Sequence, residues 1–266
     1  MTDAEKIYSD IEAIRAKAPL VLNITNYVVT NNTANALLAL GASPIMSHAV
    51  EEMAELVAIS GALVINLGTV APEYLAAMEP AWTAADKAGV PTILDPVGAG
   101  ASLLRTVTPL ALLADHKPFI IRGNASEITT LAGGEGGAKG VDSTASSESA
   151  VMAARVLRKK HGGAVVVSGE VDIVAGEGIR VQVMGGSPLM PRVTGLGCTA
   201  SALCGAFAAV NKNPFEAALG ATVTMKVAGE IAAAKASGPG TLQLHFYDAL
   251  YNLSLQDVED HIKLVR

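Results

Sequence analysis

A chain of 266 residues, 50% hydrophobic and 17% charged, can bury one large core or at most two, and a single α/β domain spanning 1–266 is the expectation. A net charge of -6 and a pI near 5.4 argue against a polyanion-binding surface, so no nucleic-acid partner is expected and the basic run Arg155 to Lys160 reads as a solvated helix face. With 26 glycines, 4% aromatics and a mean hydropathy of +0.39, the chain has less charged surface than a monomer usually carries, which predicts burial between subunits.

Met1 to Lys17 is charged and helical in pattern, with Ile7, Ile11 and Ile14 on one stripe; it is not a secretory signal, and the expected location is cytoplasmic. Apolar runs of strand length follow at Leu20 to Ile24, Pro44 to Met46, Ala62 to Asn66, Pro91 to Leu94, Pro118 to Ile121 and Ala164 to Val167. Helical patterns separate them, at Thr33 to Leu40 before Gly41, Val50 to Ile59 before Gly61, and Glu73 to Ala88 before Gly89. Strands of this kind alternating with helices imply a mainly parallel sheet covered on both faces. Gly133 to Gly137 reads as a loop and candidate mobile flap, and Ser143 to Ser149 as a helix start. Asp172 to Ala175 and Ile179 to Met184, joined by Gly176-Glu177-Gly178, predict a β-hairpin on the sheet edge. From Gly195 onward the pattern is helical. The apolar helix from Cys198 to Val210 is too short to span a bilayer, which needs about 20 residues, and no membrane partner is expected. Cys198 and Cys204 lie on that helix roughly 9 Å apart along its axis and cannot form a disulfide.

Polar residues collect at the carboxyl ends of the apolar runs: Asn23, Met46, Asn66-Leu67-Gly68, Asp95-Pro96, Arg122-Gly123-Asn124 and Ser168-Gly169. In parallel α/β sheets ligands bind at that edge. The segment Val193-Thr194-Gly195-Leu196-Gly197-Cys198 runs two glycines into an apolar helix, whose free first-turn amides and positive dipole end suit a phosphoryl group. Cys198 stands where that field polarises a thiol toward thiolate. Asp95 can hold Mg²⁺ or its waters, because magnesium prefers hard oxygen donors. Arg122 offers a cation for phosphate, and Glu127 is both a second acid and, with Asn124, a capping box. Ser168 reads either as a nucleotide contact or as a strand-end turn. His48, His116, His161, His245 and His261 lack metal-ligand spacing and read as surface or turn residues. There is no Walker A pattern.

Together, Asn23-Ile24-Thr25-Asn26-Tyr27-Val28-Val29, Ala34 to Pro44, Leu94-Asp95-Pro96-Val97-Gly98-Ala99-Gly100, Arg122-Gly123-Asn124-Ala125-Ser126-Glu127 and Val193 to Cys198 resemble the hydroxyethylthiazole kinases, a branch of the ribokinase-like vitamin kinases. The resemblance implies a ribokinase-like α/β fold and a homotrimer that phosphorylates 4-methyl-5-(2-hydroxyethyl)thiazole with ATP and Mg²⁺ in thiamine salvage. It implies thiazole contact at Met46, ATP contact at Arg122 and Ser168, and Gly195 on the substrate side of the anion hole. Asp95 and Glu127 become the magnesium pair. Cys198 takes the place where ribokinase-like relatives carry an aspartate base, either as base or in shaping the hole. Leu196 departs from the family's usual threonine, and Ser168 stands for a more usual threonine. The other readings are a hydroxymethylpyrimidine or pyridoxal kinase, a nucleotide-dependent repair dehydratase on the same fold, and a non-catalytic nucleotide-binding module.

Overall fold

A computed structural model describes residues 1–134 and 143–266 of the chain. The expected parallel sheet is present and larger than predicted, with nine strands in the order β2-β1-β3-β4-β5-β6-β7-β8-β9. Strands β1 (Leu20–Ile24), β2 (Ser43–Met46), β3 (Ala62–Asn66), β4 (Thr92–Asp95), β5 (Ile120–Asn124) and β6 (Ala164–Ser168) are parallel. The predicted hairpin follows as β7 (Asp172–Ala175) and β8 (Arg180–Met184), antiparallel and joined to β6. A strand absent from the sequence reading, β9 (Lys263–Val265), pairs with β8 and closes that edge.

Successive strand residues face opposite layers. Val21, Val64, Ile93, Ile120 and Val166 face one core with α1 (Asp3–Lys17), α2 (Thr30–Leu40), α8 (Leu196–Val210), α9 (Pro214–Lys235), α10 (Pro239–Asn252) and α11 (Leu255–His261). Leu22, Leu63, Leu94, Ile121 and Val165 face a second core with α3 (Met53–Ala58), α4 (Pro72–Ala88), α5 (Leu103–Asp115), α6 (Ala125–Leu131) and α7 (Ser143–His161). The stripe Ile7, Ile11 and Ile14 of α1 is buried as its spacing predicts. Helix α9 is long and apolar enough to cross a membrane by composition, but its most apolar stretch is 72% buried inside the protein as a core helix.

Several boundaries differ from expectation by a residue or more. The helix predicted over Val50 to Ile59 is a 3-10 turn at Val50–Glu52 followed by α3. β4 and β5 also run further than predicted, so Asp95 and Arg122 belong to the strands themselves. The extra ladder bonds hold these side chains more rigidly than a following turn would. The flap predicted over 133–137 lies mostly outside the described residues.

Candidate active site

The parallel register sets the polar strand ends side by side: Asn23 beside Met46, Asn66 beside Asp95, and Asn124 beside Ser168. Asp95, 1% exposed, is the anchor of a buried network. Its Oδ2 accepts from Ser201 Oγ of α8 at 2.6 Å and from Asn66 Nδ2 at 2.7 Å. An ionised carboxylate only accepts, which fixes the direction of everything beyond it. Asn66 turns its NH₂ toward Asp95, and its Oδ1 accepts from Asn26 Nδ2 at 3.0 Å and Gly68 N at 2.9 Å. Asn26 Nδ2 also reaches Cys198 Sγ at 3.4 Å. The network therefore runs Ser201, Asp95, Asn66, Asn26, Cys198. Gly68 has no room for a side chain, because a Cβ there would fall on the Asn26 amide.

Helix α8 starts as the glycine pattern predicts. Gly195 is its N-cap at φ 85°, with its absent Cβ directed 2.6 Å from Val29 Cγ1, so both the conformation and the space demand glycine. The first-turn amides of Leu196, Gly197 and Cys198 have no intrahelical acceptor. Arg122 reaches this turn from β5: its Nη1 lies 3.2 Å from where a Gly197 Cβ would stand. Among the described residues the guanidinium has no hydrogen-bond or ion-pair partner, although it is half-buried and its charge acts on Asp95. A half-buried cation without a protein partner beside open amides is a place for an anion.

Glu127 forms the predicted capping box with Asn124, and more. Its Oε2 accepts from Asn124 N at 2.8 Å while Oε1 accepts from Gly98 N at 2.9 Å, tying the loop after β4 to the start of α6. Ser168 Oγ donates to Gly123 O at 3.3 Å, which ties the hydroxyl to the backbone of the residue after Arg122. Met46 ends β2, half-buried, at the far side of the edge.

Burial pushes the Asp95 carboxyl up from 3.8 to about 6; Arg122, Ser201 and Asn66 oppose the rise and Glu127 adds to it. The expected polarisation of Cys198 toward thiolate is overturned. Burial and then the Asp95 charge raise the thiol above its usual range, outweighing the hydrogen bonds from Asn66 and Asn26 and the Arg122 charge. A helix N-terminus lowers a thiol pKa where the sulfur is solvated or faces a cation, and here it faces a carboxylate in a desolvated pocket.

Sequence reasoning missed several contributors. Arg105 of α5 donates to Val97 O at 3.0 Å, to Gly68 O at 3.1 Å and to Leu67 O, so one side chain sets both the β3 and β4 exits. Ser201 sits one turn past the glycines, where helical spacing from Gly197 could have flagged it. His48 stacks on Tyr74 at 4.1 Å and Tyr27 packs edge-on against Tyr74 at 5.0 Å, forming an aromatic corner two residues from Met46. The surface assignment fails for His116 and His161, each 8% exposed. His116 is buried because it stacks on Trp82 and Nδ1 lies 2.7 Å from Asp86 Oδ2. Among the described residues no three His, Cys, Asp or Glu side chains converge as a metal cage.

A parallel sheet wrapped on both faces, with acids and a glycine-led helix start at its carboxyl edge, is the ribokinase-like arrangement. The solved pyridoxal kinase from Staphylococcus aureus in complex with AMP-PCP and pyridoxal shares this fold at a TM-score of 0.64, with 16% identity over 93% of this chain and 97% of that one. Residues 11–256 match the profile of the hydroxyethylthiazole kinase family, and the chain belongs to that family. It is similar to the hydroxyethylthiazole kinase of Syntrophus aciditrophicus (strain SB), 53% identical over 98% of this chain and 97% of the relative. It also superposes on the structure of the hydroxyethylthiazole kinase protein from Pyrococcus horikoshii OT3 at a TM-score of 0.90, with 38% identity and 98% of each chain covered.

Proposed function

We propose that this kinase transfers the γ-phosphoryl group of ATP to the primary alcohol of 4-methyl-5-(2-hydroxyethyl)thiazole in thiamine salvage, with residues 1–266 forming one kinase domain. The observation that carries the site assignment is the Arg122 guanidinium, without a partner among the described residues, against the open first turn of α8 and close enough for its charge to act on the buried Asp95. In this reading Arg122 and Ser168 bind ATP, Gly195 and Met46 border the thiazole alcohol, and the amides from Leu196 to Cys198 face the transferring phosphoryl group.

The acid pair fits Mg²⁺. Asp95 and Glu127 are hard oxygen donors near enough for one charge to act on the other, and magnesium is commonly held by one or two carboxylates plus waters and phosphates. When bound, the metal neutralises charge on the phosphates. Ser201 and Asn66 orient the Asp95 carboxylate, and Asn124 and Gly98 orient Glu127. The alcohol oxygen attacks the γ-phosphorus in line as the bond to the ADP oxygen breaks, and because the transition state is loose the alcohol proton leaves late, to a phosphoryl oxygen or to water. Cys198 holds its own proton at neutral pH and accepts from Asn26, which supports a role in shaping the hole over a role as base.

The same reading takes the enzyme as a cytoplasmic homotrimer. The exposed Tyr27, Val28, Leu38 and Leu103 support burial between subunits, and the number three rests on the family resemblance. Incubating the purified chain with Mg-ATP and, separately, the thiazole alcohol, hydroxymethylpyrimidine or pyridoxal tests the reading. Mass spectrometry should show phosphorylation of the thiazole alcohol; preferential phosphorylation of another vitamin, or ATP hydrolysis without a phosphorylated alcohol, would overturn it.

A further inference from the structure

Lys226 lies inside the core helix α9, between the buried Thr224, Met225, Val227 and Ala228, and is itself 8% exposed. An ammonium in such a place must be paired. Its Nζ lies 3.1 Å from Gly169 O, 3.0 Å from Glu170 O and 3.2 Å from Asp172 Oδ1, three acceptors for three N–H bonds. The Asp172 oxygen that meets Lys226 also accepts from Gly169 N at 2.8 Å. Both polar backbone groups of Gly169 are thus tied to one buried ion pair. The turn so clamped follows Ser168 directly, and Ser168 Oγ is the group that meets Gly123 O beside Arg122.

We propose that Lys226 is a positioning residue for the nucleotide: a cation fixed within the turn after β6 holds Ser168 against the end of β5, so that ATP meets a preformed edge. This rests on the assignment of Arg122 and Ser168 to ATP. A structural role alone gives little reason for an ammonium here, since replacing a buried ion pair by packed apolar groups is often neutral or stabilising. The carbonyls of Gly169 and Glu170, in contrast, lose their donor if the charge goes, and the turn is held only by the bond from Gly169 N to Asp172.

Steady-state kinetics and direct ATP titration of Lys226→Met, Lys226→Ala and Arg122→Ala test the proposal. Losing the charge-assisted bonds should raise KM and Kd for ATP about tenfold, while KM for the thiazole alcohol stays within about twofold. Ethylammonium should restore ATP affinity to Lys226→Ala, where the stem is missing, and leave Lys226→Met unchanged. Unaltered ATP affinity in a folded Lys226→Met, or an equal rise in both KM values that ethylammonium does not reverse, overturns the proposal. Should both lysine variants fail to fold, Asp172→Ala removes the acceptor that Lys226 and Gly169 N share; a selective rise in KM for ATP supports the clamp and a wild-type value refutes it. Arg122→Ala separates the two levels. If it retains full ATP affinity the nucleotide assignment itself fails, whereas loss there with none in Lys226→Met defeats this inference alone.

Discussion

Asp95→Asn should make the ligand-free protein more stable at pH 8 while nearly silencing the enzyme. The wild-type carboxyl is buried and its pKa is raised from 3.8 to about 6, so keeping it ionised in the folded state costs about 3 kcal/mol at pH 8. The sign is that of an acid with a raised folded pKa. Its favourable contribution is complete below pH 3.8, declines as pH rises, and is gone above about 6. Asparagine carries no charge and, with its amide oxygen in the place of Oδ2, still accepts from Ser201 and Asn66, but its NH₂ brings a new buried donor to the place of Oδ1, which reduces the gain to about 1–3 kcal/mol. At roughly 2–4 °C per kcal/mol for a chain near this size, the midpoint should rise by several degrees. The gap should shrink by about 1.5 kcal/mol between pH 8 and pH 5, and by about 2.5 kcal/mol as pH approaches 3.8. Turnover should fall roughly 10²–10³-fold, the scale of losing one preorganised charge at a phosphoryl-transfer site. Urea melts of the ligand-free proteins at pH 8 and pH 5 decide the matter. A less stable Asp95→Asn at pH 8, or a gap unchanged between the two pH values, would refute the claim that ionised Asp95 is held at a cost.

The layers of the fold were legible in the sequence because buried parallel strands and their helices carry continuous apolar runs and glycine stops: Ala62 to Asn66 and Gly89 are read directly. The three-residue strand Lys263–Val265 was not, since so short a run carries no period of its own and exists only by pairing with β8. At the site, the residue types and their edge were legible while their connections were not. Asn66 was visible as a polar strand end, but its amide is oriented by Asp95 across the sheet register, and Asn26 by Asn66 in turn. Ser201 and Arg105 come from helices distant in the chain, so only the crossovers bring them to β4. The Cys198 thiolate failed for the same reason: the helix dipole is a local property of the sequence, whereas the adjacent Asp95 charge and the burial are tertiary.

Four further outcomes follow from the site. Cys198→Ala should slow turnover without abolishing it, because the raised thiol is neutral and the α8 amides do not depend on its side chain; complete loss in a folded variant, with stoichiometric block of the wild type by a thiol reagent, would mean a covalent role. Glu127→Gln keeps the acceptor for the Asn124 cap but turns its NH₂ toward Gly98 N and removes the charge, so it should melt modestly below wild type and lose most turnover; near-normal turnover would reduce Glu127 to its bonds with Asn124 and Gly98. Light scattering should return about three subunits per particle, and a monomer at micromolar concentration would leave the exposed Tyr27, Val28 and Leu38 unexplained. The last outcome concerns the charges that the protein leaves uncompensated. Arg122 has no partner among the described residues, and Asp95 is ionised at neutral pH against its burial, a cost that a ligand of matching charge relieves. Mg-ATP should therefore raise the melting midpoint of wild type by more than that of Arg122→Ala at the same concentration, since that variant lacks the cation proposed to meet the phosphates. Magnesium added without nucleotide should give a smaller rise, and one that disappears in Asp95→Asn. If Mg-ATP stabilises wild type and Arg122→Ala equally, the unpartnered guanidinium is not the nucleotide's partner, and the anion site at the start of α8 must be assigned to another group.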